Sequence, residues 1–581
     1  MTLSSWIRVV AVLFAVSPSP TFGQQQPNVL LILTDDQGWG DLGVHGNDVL
    51  QTPTLDQLAA ESVRLDRFYV SPVCAPTRAA LLTGRYPERT GVVGVTRRLE
   101  VMRSEEVTLA EVFSDSGYAT GCFGKWHNGA QMPLHPNGQG FKEFFGFCGG
   151  HFNLYDDPEL EHNGQAVQTN GYITDILTDR AIEFLNEHRK EPWFCYVPFN
   201  TPHTPCQVDR GLFDKYNDGS VTEMTAAVYA MVENIDTNVA RLLKAVEDQR
   251  QTQNTIVVFL TDNGPNGPRY NGDMRGRKGS VHEGGCRVPC LIRWPGKIQP
   301  RLINQITAHI DLLPTLAEWC GLETENNLPL DGKSLVRLIR EGRDESLIDR
   351  RLLTNRPNPK DPAAVHRAAV RTNRYRLTIE KGNTSLFDME ADPSQKTDLA
   401  KAQPAITKRL EMEILEYIGQ TQASITEPRP IPVGMRENTF LPSVDSTLHG
   451  NPGFADGISW AHSWVDNWIA AEDRITLSLS VRRAGRYEVV LHYVCDAKGT
   501  EVTARVEDQT ATASLPIAAN ESVPRPDLDS KSKRRRMLAF RAHSIGTITL
   551  GEGEASLELR RNDKTGSEIE LGGVTLRSVG Q

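Results

Sequence analysis

The residues best suited to do chemistry are a thiol and a guanidinium four positions apart, in Cys74-Ala75-Pro76-Thr77-Arg78. The strand-like run Phe68-Tyr69-Val70 precedes them, and good helix formers from Thr77 to Leu82 follow. Cys74 is therefore expected at a helix N-terminus, where unpaired N–H groups and the positive end of the dipole favour an anionic substrate. Arg78, one turn further on, adds a fixed positive charge. The plainer alternative is a buried structural cysteine beside a surface arginine. Two acidic clusters repeat a second pattern. Val29 to Leu33 runs into Thr34-Asp35-Asp36, and Ile256 to Leu260 runs into Thr261-Asp262-Asn263-Gly264. Three carboxylates and an amide make an all-oxygen donor set suited to one hard divalent ion, Ca2+ or else Mg2+. Asp and Asn also begin loops, so it is the likeness of the two clusters that carries the metal reading. Cations follow other apolar runs: Lys125 and His127 in Gly124-Lys125-Trp126-His127, and His203 in Asn200-Thr201-Pro202-His203. Lys278 comes just after Arg275-Gly276-Arg277.

Buried strands must deliver these groups. Val29 to Leu33, Tyr118 to Phe123, Trp193 to Phe199 and Ile256 to Leu260 are continuous apolar runs, separated by helical patterns at Thr54 to Ala60, Ile173 to Glu187 and Thr222 to Val246. The alternation predicts an α/β domain over residues 24–335, with a large, mostly parallel sheet sandwiched by helices. Ligands bind outside the carboxyl ends of such strands, so the two acidic clusters are expected to face one crevice. A smaller α+β subdomain is predicted over 336–423, with strands at Arg374 to Ile379 and Leu386 to Asp388 and a helix from Pro404 to Gly419. Pro428, Pro430, Pro432 and Pro442 mark residues 424–443 as a linker. Short alternating strands separated by Gly-containing turns then predict a separate all-β sandwich over 444–581.

The chain has 581 residues, 39% hydrophobic and 23% charged, a globular composition with room for several cores. A net charge of −10 argues against nucleic acid as a partner, so any anion site must be a local concentration of positive charge. Arg8, the apolar run Val9 to Val16 and Thr21-Phe22-Gly23 form a signal-peptide pattern over residues 1–23, which predicts export to the periplasm or beyond. No later run is long enough for a membrane span. Setting Cys74 aside from the nine cysteines leaves an even number, which permits disulfides without indicating any. Cys122, Cys195 and Cys290 lie in apolar runs and read as buried thiols. Cys286 and Cys290 lack the second cluster that a zinc site needs.

The pattern C-x-P-x-R at Cys74 resembles the signature of the type I sulfatases, relatives of alkaline phosphatase. Thr34-Asp35-Asp36, the Cys74 segment, Gly124-Lys125-Trp126-His127, Pro202-His203, Thr261-Asp262-Asn263-Gly264 and Lys278 to Pro289 follow in that family's order. Asp311-Leu312-Leu313-Pro314-Thr315, Leu330 to Leu335 and Leu386-Phe387-Asp388 resemble its later landmarks, so the likeness spans about residues 27 to 420. The resemblance implies that Cys74 is converted to formylglycine by a formylglycine-generating or an anaerobic maturation enzyme. One hydroxyl of the hydrated aldehyde attacks the sulfur of a sulfate ester, and the other lets the sulfated intermediate collapse and expel sulfate. By the same likeness Asp35, Asp36, Asp262, Asn263 and modified Cys74 hold the metal, and Asp262 accepts the proton of the attacking hydroxyl. Arg78 and Lys125 fix the hydrate, Lys278 and His203 clamp the sulfate, and one of those two protonates the leaving alcohol. His127 takes the proton that releases sulfate. Asn128 replaces a leucine common in the family, and His151 falls where the family often has another polar contact. His282 reads as structural.

In the tail, Trp460, Trp464 and Trp468 stand close to Asp466 and Asn467, a composition suited either to stacking on sugars or to filling the sandwich core. Lys531 to Arg536 is a basic run, read as a solvated loop able to meet a sulfated polysaccharide by charge. The leading expectation is an exported hydrolase of sulfate esters, with a sulfated saccharide as its partner. The alternatives are a phosphonate or phosphate ester hydrolase of the same superfamily, and an inert glycan-binding protein.

Overall fold

The computed structural model describes residues 26–324, 328–358, 361, 364–519, 521–524, 526–528, 536–562 and 566–580. The signal-like segment and residues 531–535 of the basic run lie outside them. A ten-stranded sheet organises the first half of the chain. From one edge to the other it consists of Arg301–Ile303, Val63–Leu65, Cys290–Arg293, Thr255–Thr261, Asn28–Thr34, Trp193–Pro198, Ala119–Lys125, Glu143–Phe147, Glu159–His162 and Gln165–Gln168. Neighbours run parallel from Thr255–Thr261 through to Glu143–Phe147, and the direction reverses on either side of that block.

Asn28–Thr34 is central and buried at every position, so it carries no polar alternation. Leu30 and Ile32 point to one face, under the helices Ile173–Glu187 and Glu223–Asp248. Val29, Leu31 and Leu33 point to the other, under Cys74–Thr83, Leu109–Asp115 and Leu312–Cys320. Two covered faces explain the unbroken apolar runs. Thr222 caps the longest of these helices by accepting from the Thr225 N–H at 3.2 Å, which sets its start at Glu223.

The next unit is a four-stranded antiparallel sheet of Leu352–Arg356, Arg367–Arg371, Tyr375–Glu380 and Asn383–Asp388, backed by the helix Pro404–Thr426. Buried Glu283 ties it to a small three-stranded sheet of the large domain by pairing with Arg371 and Arg376, each at 3.0 Å, and by accepting from the hydroxyl of Tyr69 in that sheet at 2.9 Å. All nine cysteines are free thiols.

Residues 424–443, expected as a linker, are instead built into the fold. The helix runs on to Thr426, Ile431–Val433 joins one sandwich sheet beside Arg474–Val481, and Asn438–Pro442 joins the other beside Ile569–Val579. The prolines mislead because Ile431–Val433 is an edge strand, where a missing N–H costs no ladder bond. Two six-stranded sheets then enclose a third core. Trp460, Trp464 and Trp468 are 2%, 3% and 0% exposed, so they form no open platform for sugars.

The sandwich is docked against the large domain. Thr96 Oγ1 donates to Ile458 O at 2.6 Å, Arg98 donates to Arg429 O and Pro430 O at 3.1 Å, and Gln131 Nε2 donates to Phe440 O at 3.0 Å. At this seam, burial and the charge of Asp445 push Glu100 up to about 7, against the pull of Arg98. A carboxyl whose pKa rises on folding makes the fold lose stability as pH climbs from 4.5 towards that value. Glu100→Gln is therefore expected to stabilise the protein by about 1–3 kcal/mol at pH 8 and by much less at pH 5. Thermal unfolding at the two pH values checks this, and equal shifts would sink it.

Candidate active site

The two acidic clusters meet because their strands are neighbours in register, with Thr34 opposite Thr261. Asp262 N–H donates to Thr34 O at 3.0 Å and Asp35 N–H to Thr201 O at 3.1 Å, which carries the pairing past the strand ends. At Asp36 the backbone enters the left-handed region, φ 67°, a conformation that a non-glycine residue keeps only when its surroundings impose it. Here Asp36 N–H donates to Asp262 Oδ1 at 3.1 Å, and Arg269 Nη2 donates to Asp36 O at 2.7 Å. Arg269 is in turn fixed by buried Asp41, 2.6 Å away. Sequence reasoning missed this Arg269–Asp41 brace. The two residues are 228 positions apart and belong to no motif, so only the folded chain pairs them.

Cys74 opens the helix Cys74–Thr83, which is buried along its whole length. One ligand atom each from Asp35, Cys74 and Asp262 lies within 4.8 Å of the others, and the same holds for Asp35, Asp36 and His203. Arg78 Nη2 approaches Asp262 Oδ2 at 3.0 Å and Asp35 Oδ2 at 3.4 Å, while its Nη1 donates to Lys125 O at 2.8 Å. Lys125 pairs with Asp35, and Lys278 Nζ lies 2.5 Å from Asp36 Oδ1. Gly124 lets Lys125 in, since a Cβ at 124 would meet Pro198 O at 2.1 Å. All the sequence-predicted site residues except His127 and Asn263 are linked by these contacts; Asn263 Nδ2 donates to Asp36 Oδ1, and His127 follows Lys125 by two positions.

The donor set fits a hard cation. Asp35 Oδ1, Asp36 Oδ2 and Asn263 Oδ1 are buried acceptors without a hydrogen-bond partner. Buried oxygens are otherwise nearly always satisfied, and these three belong to three of the predicted ligands. The Asn263 amide N–H groups donate to Asp36 Oδ1 at 2.8 Å and Gly264 O at 3.0 Å, which leaves the carbonyl oxygen free. Oxygen-only donors of this kind suit calcium or magnesium. Asp35, Asp36 and Asp262 are balanced by Arg78, Lys125 and Lys278, so a bound dication leaves the crevice positive and suited to an anion.

Burial works against the charge on Asp35, but Lys125, His203, Arg78 and Lys278 together hold its carboxyl well below the usual range. Asp36 is also lowered: burial is outweighed by Lys278 and His203. Asp262 goes the other way, up to about 7, because of burial and the charge of Asp35. The Cys74 thiol is pushed up by burial in spite of Lys125 and Lys278, so as encoded it is no ready thiolate.

His127 also has a left-handed backbone, φ 63°. Its Nε2 donates to Val95 O at 2.8 Å, and its buried Nδ1 has no partner, which leaves a lone pair available as a base. His203 Nδ1 donates to Thr204 O at 2.6 Å, with Nε2 3.5 Å from Asp36 Oδ2. His151 lies 4.9 Å from the His203 ring and 6.3 Å from that of His127. Asn128 is a tether: its amide donates to Ala75 O at 3.1 Å and Glu100 O at 3.3 Å, on the helix that carries Cys74 and the loop behind it. A leucine could make neither bond. His282 bridges Glu380 and Gln395 away from these groups.

Known proteins resemble this chain in sequence and in fold. The Sulfatase family profile matches residues 27–322, and that of the N-sulphoglucosamine sulphohydrolase C-terminal region matches 277–420. The N-acetylgalactosamine-6-sulfatase of Canis lupus familiaris is 31% identical over 389 residues, covering 60% of this chain and 71% of the relative. The uncharacterised sulfatase YdeN of Escherichia coli is 28% identical over 502 residues, covering 71% and 89%. Among solved structures, Ps i-CgsB in complex with k-i-k-neocarrahexaose aligns with a TM-score of 0.65 at 30% identity, over 69% of this chain and 94% of that one. A phosphonate monoester hydrolase of Agrobacterium radiobacter, at 20% identity, shares the fold alone. The chain belongs to the sulfatase family. It is a hydrolase of sulfuric esters.

Proposed function

We propose that this protein is an exported sulfatase that removes sulfate from a sulfated saccharide, using formylglycine at position 74 and one divalent cation, Ca2+ in preference to Mg2+. The observation that carries the reading is the convergence of Cys74, three unsatisfied oxygens of the proposed ligands and a ring of cations at the carboxyl ends of the central strands. Cys74 Sγ occupies the place of the aldehyde hydrate, and a maturation enzyme for formylglycine is implied. Asp35, Asp36, Asp262, Asn263 and residue 74 would hold the cation. When bound, it polarises sulfate oxygens and lowers the pKa of the attacking hydroxyl.

The remaining work falls to side chains. Arg78, fixed against Asp262 and Lys125 O, orients residue 74 from one helical turn away. Asp262 receives the proton of the nucleophile. Lys278 and His203, both beside Asp36, hold the sulfate group and supply the proton to the departing alcohol. His127 Nδ1 takes the proton that frees sulfate. A saccharide is favoured because a neighbour at 30% identity was solved with k-i-k-neocarrahexaose, and a relative at 31% identity is an N-acetylgalactosamine-6-sulfatase. Export rests on Arg8, the apolar run Val9 to Val16 and Thr21-Phe22-Gly23. Among the described residues no helix is long and apolar enough to cross a membrane.

Mass spectrometry of the peptide containing residue 74 tests the modification, and turnover of aryl sulfate against aryl phosphonate esters tests the chemistry. An unmodified cysteine in active protein, or a preference for the phosphonate, would overturn the reading. His203→Ala and Lys278→Ala are each expected to lower kcat by on the order of 10²–10³-fold, and wild-type turnover in either would remove its role. A panel of sulfated saccharides then resolves the substrate.

A further inference from the structure

The sandwich lies beyond both matched family regions, which end at residues 322 and 420, yet it reaches the candidate catalytic histidines. Trp460 stacks on the His151 ring at 4.3 Å, with the planes 30° apart. The Ala461 N–H donates to His151 Nδ1 at 3.2 Å, and His462 Nε2 donates to His151 O at 2.7 Å. A ring whose Nδ1 accepts must, when neutral, carry its proton on Nε2. His151 thus offers an N–H donor close to His203. The segment that carries it lies directly on His127, because a Cβ at Gly150 would meet His127 Nε2 at 2.2 Å.

A second tie runs to His127 itself. Its Nε2 donates to Val95 O, the next residue, Thr96, donates to Ile458 O, and Arg98 donates to Arg429 O and Pro430 O. The strap that fixes the His127 tautomer is therefore anchored on the sandwich and on the chain leading into it. We infer that the C-terminal sandwich is a working wall of the catalytic crevice, with segment 458–462 setting the position and tautomer of His127 and His151. Trp460 and Ala461 are its main positioning residues. The inference rests on the role proposed above for His127, and it makes the sandwich part of the hydrolytic machinery instead of a detachable binding module.

Full-length protein decides it. Trp460→Ala and Ala461→Pro are expected to lower kcat on an aryl sulfate by about 10–100-fold with little change in KM, the cost of small misplacements near reacting groups. The pH profile of kcat shifts with it, formylglycine content at residue 74 stays that of the wild type, and Trp460→Phe recovers activity to within about 3-fold. Amide hydrogen exchange quickens in peptides covering 92–99 and 147–153. Arg577→Ala, which removes an exposed pair with Glu488, is the unaffected control in the sandwich. Wild-type kcat, pH profile and exchange in Trp460→Ala and Ala461→Pro would overturn the inference, as would a loss that Trp460→Phe fails to rescue. If those variants do not fold, Thr96→Val carries the test, with about a 3–10-fold loss of kcat and faster exchange in 92–99 expected; no change in either overturns the inference. A fully modified wild type idle on every sulfate ester would refute the proposed function, while the exchange data still decide whether segment 458–462 holds the loops that carry His127 and His151.

Discussion

Cys74→Ser is expected to reduce steady-state hydrolysis of a sulfate ester by on the order of 10⁵–10⁶-fold, comparable with removal of other catalytic nucleophiles. The serine hydroxyl sits where the cysteine thiol sits, beside Asp35 and Asp262, and can still meet a sulfate held by Lys278 and His203. What it lacks is a second oxygen on the same carbon. Sulfate transferred to serine has no neighbouring hydroxyl whose ionisation would expel it, so His127 has no proton to take. Intact-mass measurement after exposure to substrate should show sulfate retained on the variant, with turnover halted. The change replaces one atom and the serine hydroxyl has the Asp35 and Asp262 carboxylates beside it, so the fold should be little affected, within about 1 kcal/mol. Multiple turnovers at the wild-type rate would end the formylglycine proposal.

Asp36→Ala carries the second large effect. Asp36 contributes one of the unsatisfied oxygens, and its other oxygen anchors Lys278 at 2.5 Å and the Asn263 amide at 2.8 Å. Its loss removes a proposed metal ligand and leaves Lys278 without its counterion, so kcat should fall by on the order of 10³-fold or more. The wild type should lose activity to a chelator and regain it with Ca2+. A ligand present at 100 times its Kd stabilises the state that binds it by about 2.7 kcal/mol, so Ca2+ should raise the melting temperature of the wild type and not of Asp36→Ala. A variant that keeps both the calcium-dependent shift and the rate would remove Asp36 from the metal site.

Much of the candidate site was legible in one dimension because its residues obey a positional rule. Asp35, Asp36, Asp262 and Asn263 end buried strands, Lys125, His127 and His203 follow others, and Cys74 starts a helix. Strand ends of a parallel sheet share an edge, so an apolar run followed by chemistry-bearing residues already implies convergence. The brace from Arg269 through Asp41 to the Asp36 carbonyl obeys no such rule. Neither does the Asn128 amide, which reads as a harmless departure until its two bonds are seen. The prolines at 428–442 misled for a related reason. They forbid a central strand but not an edge strand, and the letters alone do not say which strand lies at an edge.

The order of residues was enough for the alternating strands and helices, the all-β character of the tail and the meeting of Cys74 with the acidic strand ends, because periodicity and strand-end position are local properties. It was not enough for the relation between tail and crevice. The three tryptophans could serve a sugar or a core. Only packing shows Trp460 buried against His151, with Ala461 and His462 bonded to the same residue. Those contacts join positions some 310 residues apart. They depend on how two separately cored units dock, a matter of surface shape and hydrogen-bond satisfaction that no local pattern encodes.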